Sequence, residues 1–162
     1  MSELTYKTKT KKDLKTMILI SWLIVGTLDM SAAVIQTLIN GGNPVKMLQF
    51  IASGVFGTNA FTTEMPYALL GVVFHYIIAF GWTLLFFFLY PRLEFLSWNT
   101  IATGFLYGLL VWTIMNQVIL RLANTPPIKF VFMKAIIAAL ILVFAIGVPL
   151  SFMAKKYFRN GN

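Results

Sequence analysis

The sequence predicts an all-α membrane protein: a four-transmembrane-helix bundle with a short amphipathic helix in the first outer loop. Three observations carry that class. The 162 residues are 59% hydrophobic and only 11% charged, where an average soluble domain has about 45–50% apolar and about 25% charged residues. Four apolar runs approach or exceed the ~20 residues that a bilayer needs. Turn-forming segments separate them: NGGNP at 40–44, Pro91, and NTPP at 124–127. A soluble fold of this size cannot hide so much apolar surface, and disorder is excluded for the same reason.

The runs lie at about 17–39, 67–90, 99–121 and 130–154. Helices are the open-ended segments that satisfy their own backbone in lipid, so each run reads as a helix. The first run exceeds the h-region of a cleavable signal and carries an aspartate, so it reads as a span. The chain then divides into a basic tail at 1–15, a four-helix transmembrane domain at 16–154, and a basic tail at 155–162. Nine basic residues fall on one side: Lys7, Lys9, Lys11, Lys12, Lys15, Arg92, Lys155, Lys156 and Arg159. Four fall on the other: Lys46, Arg121, Lys129 and Lys134. The excess belongs inside, which predicts that both termini are cytoplasmic. Beside a span, the lysines at 7, 9, 11, 12 and 15 fit anionic lipid better than nucleic acid, and no nucleic-acid partner is expected.

Residues 40–66 form an unusually long first outer loop. Its middle, 44–57, is too short to span. Lys46, Gln49 and Ser53 fall on one side of a helical projection, with Met47, Leu48, Ile51 and Val55 on the other. Pro44 suits a first helical turn. Two placements are open: an interfacial helix flat on the outer leaflet, or a lid over the mouth of the bundle.

Composition removes most chemistry. The chain has no cysteine and one histidine. Disulfides, thiolate metal sites and iron–sulfur clusters are therefore excluded, as is a multi-histidine metal site within one chain. No metal and no cofactor are expected. HExxH, a Gly-rich phosphate loop and a paired-carboxylate site are all missing. No catalytic residues are assigned, and the protein is read as a non-enzyme.

Polar groups inside spans are costly, at about 2.5–3.5 kcal/mol for a charge on insertion scales, so they are the informative positions. Asp29 is the one acid inside a span; His75, Asn116, Gln117 and Gln36 are the other candidates for a buried polar or proton-titratable site. The expected assembly buries Asp29 with His75 and Asn116, with both donating to the carboxylate. An aspartate and a histidine held together share a proton and titrate as a unit. Gly26, Gly71, Gly104 and Gly108 are the expected packing positions. Gly104 and Gly108 form a GxxxG, which licenses close helix approach and not by itself a dimer.

The segments GTLDMSAAVIQ at 26–36, LQFIASGVFGTNAF at 48–61, ALLGVVFHYIIAF at 68–80 and GFLYGLLVWTIMNQVILRL at 104–122 resemble a group of small, uncharacterised bacterial inner-membrane proteins, the YagU-like group. The resemblance covers roughly residues 20–150. It implies a bacterial inner-membrane location and a link to acid resistance. It picks out Asp29, the IASG at 51–54, His75 and Asn116 as the positions to watch. Small multidrug transporters also place one carboxylate in the first of four spans, but this chain departs from them in its long outer loop. Three readings stay open. The first is an integral membrane protein with a pH-responsive polar site. The others are a proton-coupled small transporter, acting as a homo-oligomer with Asp29 as coupling carboxylate, and a structural accessory subunit.

Overall fold

A computed structural model describes residues 2–93, 95–127 and 131–159, with the side chains of residues 14–158 among them. Glu94 and Lys129 lie outside the described residues, as do the side chains of Lys7, Lys9, Lys11, Lys12 and Arg159. Every regular element described is helical. Helix α1 is Ser2–Ile39, α2 is Pro44–Phe56, and a 3₁₀ segment, Gly57–Phe61, leads into α3, Glu64–Leu89. A short α4, Phe95–Trp98, precedes α5, Thr100–Ile114. A π-helical turn, Met115–Ile119, joins α5 to α6, Leu120–Leu122. A second π turn, Val143–Gly147, joins α7, Phe132–Leu142, to α8, Val148–Arg159.

Four helical stretches are long and apolar enough to cross a membrane: Leu14–Ile39, Glu64–Leu89, Thr100–Leu122 and Phe132–Phe158. At 1.5 Å per residue they reach about 34–40 Å, more than the ~30 Å of a hydrocarbon core. Their outward faces are apolar. Leu69, Ile77, Phe105 and Phe144 are all exposed, as befits helices surrounded by hydrocarbon rather than water. The basic run at 7–15 is helical: α1 starts at Ser2 and continues through it into the first long apolar stretch.

Helix α1 packs between α3 on one side and the fourth stretch on the other, and the fourth stretch packs on α5. Val25, Phe86, Tyr107, Val111, Ile146 and Leu150 form the centre of the core. Toward the α8 end, the rings of Tyr90 and Phe158 stack with centroids 5.4 Å apart.

The second π turn has a local cause. Pro149 has no N–H to give the preceding turn, and its ring would strike the carbonyl four residues back. The helix widens at Val143–Gly147, just ahead of it. At Met115–Ile119 the Trp112 carbonyl accepts from Met115 N–H and also from the Asn116 side-chain amide, the latter at 2.9 Å.

Helix α1 ends in a Schellman-type reversal. Gly41, at φ 70°, takes the left-handed conformation, and Gly42 N–H donates to Thr37 O at 2.8 Å. Asn43 then caps α2, accepting from Val45 N–H at 2.8 Å. Helix α2 lies against α3, with the Leu48 backbone pressed on Gly71. Gly71 is about 10 Å along α3 from its first residue, so α2 sits well below that end of the molecule.

The polar stripe of α2 is split between buried and exposed positions. Gln49 and Ser53 are buried, Lys46 is exposed, and apolar Val55 and Phe56 are exposed. The reason is local. Gln49 Nε2 donates to Ala60 O at 2.9 Å and Thr63 O at 3.3 Å, satisfying carbonyls of the turn that leads into α3. Ser53 donates to Phe50 O within α2. At its far end α2 meets the loop after α6, where Asn124 N–H donates to Gly54 O at 3.2 Å.

Candidate functional site

Helices α1 and α3 meet along a polar seam. Gly26 opens it. Its missing side chain lets Tyr76 approach, and a Cβ there would fall 3.1 Å from the tyrosine ring. Three cross-helix bonds follow from that closeness. Trp22 Nε1–H donates to Tyr76 O at 2.7 Å. The hydroxyls of Thr27 and Tyr76 lie 2.9 Å apart. His75 Nε2 lies 2.9 Å from the Gly26 carbonyl. A carbonyl can only accept, so Nε2 carries a proton and donates.

Asp29 stands one turn along α1 from Gly26. Its Oδ2 is 4.0 Å from His75 Nε2. That is ion-pair distance and beyond a hydrogen bond. The pair is nearly enclosed, with the side chains of His75 and Asp29 only 12% and 17% exposed. Asp29 is ten residues from Ile39 and His75 eleven from Glu64, which is about 15–17 Å along each helix and so near the midplane of a ~30 Å core. The imidazole N–H thus has two acceptors in reach: a neutral carbonyl that it uses, and a carboxylate 4.0 Å away.

The three-residue cluster expected of Asp29, His75 and Asn116 does not form. Asn116 is held by the π turn of its own helix. Gln117 Oε1 accepts from Arg121 at 2.6 Å, one turn further along. The Gln36 carbonyl takes both the backbone and the side-chain N–H of Asn40 at the end of α1. For the Asn116 and Gln117 side chains a bonding partner four residues away satisfies the group more cheaply than a partner on another helix.

The seam of the third and fourth stretches is built differently. Gly104 and Gly108 face Gly147, Val143 and Val148. A Cβ on Gly108 would fall 2.8 Å from Val143 N, and one on Gly104 2.9 Å from Gly147 O. The GxxxG therefore serves packing within one chain. Nearby, Ser151 donates to Thr100 O at 2.7 Å.

Sequence reasoning missed Trp22, Tyr76 and Gly147. Trp22 and Tyr76, which read from sequence as belt or packing aromatics, both sit in the α1–α3 seam. Their spacing was the available signal. Trp22 and Gly26 are one turn apart, so an indole beside a glycine on one face marks a place where another helix can come close. Gly147 could have been found from Gly104 and Gly108, since a GxxxG needs a small partner surface.

Among the described residues no group of three or more His, Asp or Glu residues is placed to hold a metal ion. Comparison with protein-family models, curated proteins and solved structures gives no match.

Proposed function

We propose that the chain is a multi-pass, non-enzymatic protein of a bacterial inner membrane. Its four long helices form a transmembrane bundle, its termini face the cytoplasm, and its α1–α3 seam responds to protonation. The single observation behind this reading is the divided allegiance of His75. An ionised carboxylate is a stronger acceptor than a neutral carbonyl. When Asp29 is charged, it competes with Gly26 O for the imidazole proton. When Asp29 is protonated, the Gly26 bond is uncontested. A proton reaching Asp29 therefore changes which atom of α1 the α3 imidazole grips, and with it the fit of the two helices. The resemblance to the YagU-like group, with its acid-resistance link, agrees with such a response.

Helix α2 is read as a lid on the outer side rather than a helix lying flat in the headgroups. The burial of Gln49 and Ser53 supports that placement. The basic N-terminal segment at 7–15 would draw anionic lipid to the cytoplasmic face.

The single histidine makes the test direct. Imidazole resonances of His75, followed by NMR in micelles across pH 4–9, come from one residue. In the wild-type chain these resonances are expected to shift as Asp29 gains its proton. Asp29→Asn keeps the size, removes the charge, and should abolish that response. Identical curves for the two proteins would remove the pH-responsive reading. Proton-driven uptake by the wild type in liposomes, abolished by Asp29→Asn, would move the protein to the transporter class.

A further inference from the structure

An apolar groove of about 390 Å³ runs between α1 and α7, on the other side of α1 from the seam with α3. Leu28 and Ala32 form one wall; Ile137, Leu140, Ile141 and Phe144 form the other, with Ala145 beside them. The volume lies in the ~300–1,000 Å³ range of small-molecule sites. Three features say what fills it.

The first is chemistry. The lining is aliphatic except for one phenyl ring, so the occupant is hydrocarbon. The second is length. Lys134, Ile137, Ile141 and Phe144 follow one another at i, i+3, i+7 and i+10 of the fourth stretch, and so share a face. From Lys134 to Phe144 is about 15 Å, half of a ~30 Å hydrocarbon core and hence the depth of one leaflet. The third is charge. Lys134 is exposed at the upper end of that face, and among the described residues no carboxylate pairs with it. A lysine at that depth carries its ammonium up to the headgroup level.

We infer that the α1–α7 groove binds one acyl chain of an anionic phospholipid whose phosphate is held at Lys134. A zwitterionic lipid would fill the groove equally well and gain less at its mouth. A second copy of the chain fits worse. In a symmetric pair this face would meet itself, bringing Lys134 toward its counterpart on a protein of net charge +8. The inference rests on the membrane-spanning reading alone and does not depend on Asp29 or His75, so either can fail without the other.

The test is native mass spectrometry of the delipidated protein, titrated with phosphatidylglycerol and with phosphatidylcholine of the same acyl chains. Wild type should retain one phosphatidylglycerol at the lower lipid concentration. Lys134→Gln should weaken phosphatidylglycerol by about fivefold, the loss expected of one basic contact near a membrane surface, and leave phosphatidylcholine unchanged. Ala32→Phe fills the groove and should weaken both lipids. Leu69→Phe, on the exposed face of α3, should weaken neither. Lys134 is exposed, so its variant stays decisive even where Ala32→Phe disturbs the fold. Equal retention of phosphatidylglycerol by the wild type and Lys134→Gln would overturn the inference. So would a dimer in the wild type that Ala32→Phe separates without changing lipid retention, because the occupant would then be a second copy.

Discussion

Two seams of the molecule hold helices together by opposite means. Between α1 and α3, side chains cross the gap. Trp22, Thr27 and His75 each reach a polar atom on the other helix, and one glycine, Gly26, makes room for them. Between the third and fourth stretches, three glycines bring backbone against backbone, and side-chain bonds are secondary. Lipid offers helices no hydrophobic drive toward each other, so association relies on close packing and interhelical hydrogen bonds. This chain uses one of these at each seam. A packed backbone seam has little room to move. A seam of side-chain bonds can exchange partners, and the titratable pair lies on that one.

The largest expected effect breaks the glycine seam. A Cβ on Gly147 would overlap the Gly104 carbonyl oxygen and lie 2.8 Å from Gly108 N. Both obstacles are backbone and cannot rotate away. Gly147→Leu should destabilise by at least the upper end of the ~1–3 kcal/mol typical of overpacking. Denaturant unfolding in micelles, followed by circular dichroism, measures it. Gly104→Ala combined with Gly147→Ala should cost less than the sum of the single changes, because either one already parts the helices. Strict additivity would mean that the two glycines do not share a contact.

Next comes Gly71. Its absent side chain accommodates the Leu48 backbone. Gly71→Val should lift α2 from α3 while the four long helices stay assembled. Hydrogen exchange checks this: amides of 47–56 should lose protection, and those of α5 should keep theirs. Unchanged protection in α2 would mean that the Gln49 bonds to Ala60 and Thr63 suffice to hold it.

These outcomes bear on what the sequence could reveal. The four long helices were legible because apolar length and the breakers at 40–44, Pro91 and 124–127 are local properties. Gly26, Gly71, Gly104 and Gly108 lie at close helix approaches, but a glycine on a helical face does not by itself mark one, as Gly81 shows, and Gly147 was not singled out. The polar residues were harder to read. Asn116 and Gln117 drew attention as costly groups in a span, but helical spacing could not tell that each has a partner one turn away. Asn116 serves a π turn that no residue pattern announced. The stripe of α2 left its placement open for a different reason. Lys46, Gln49 and Ser53 share a face in projection, but the carbonyls of Ala60 and Thr63 turn Gln49 inward, and they lie on a segment whose path periodicity does not describe.

A smaller effect is expected at the polar seam. Trp22→Phe keeps an aromatic ring against Tyr76 and Phe80 and removes only the Nε1–H bond to Tyr76 O. Measured interhelical hydrogen bonds in membranes average about 0.6 kcal/mol and reach about 1.7. A loss in that range fits a seam assembled from several modest bonds. A loss as large as that of Gly147→Leu would erase the distinction between the seams.

The smallest effect should have the opposite sign. Gly81 lies inside α3, is exposed, and has nothing within 4 Å of the place where a Cβ would stand. Glycine in a helix interior is less favourable than alanine by about 0.8–1.0 kcal/mol in water, because it has more backbone freedom to lose. A helix in lipid must satisfy its own backbone in any case, which lowers that difference. Gly81→Ala should therefore stabilise by a few tenths of a kcal/mol, read in the same unfolding experiment. The sign decides more than the size. Glycine as such is then not what α3 requires, and the cost of altering Gly71 or Gly147 comes from the atoms facing them. A loss above about 1 kcal/mol would mean that another helix occupies the space beside Gly81. Since no described residue of this chain lies there, that helix would belong to a second copy or a partner, and α3 would carry a third seam.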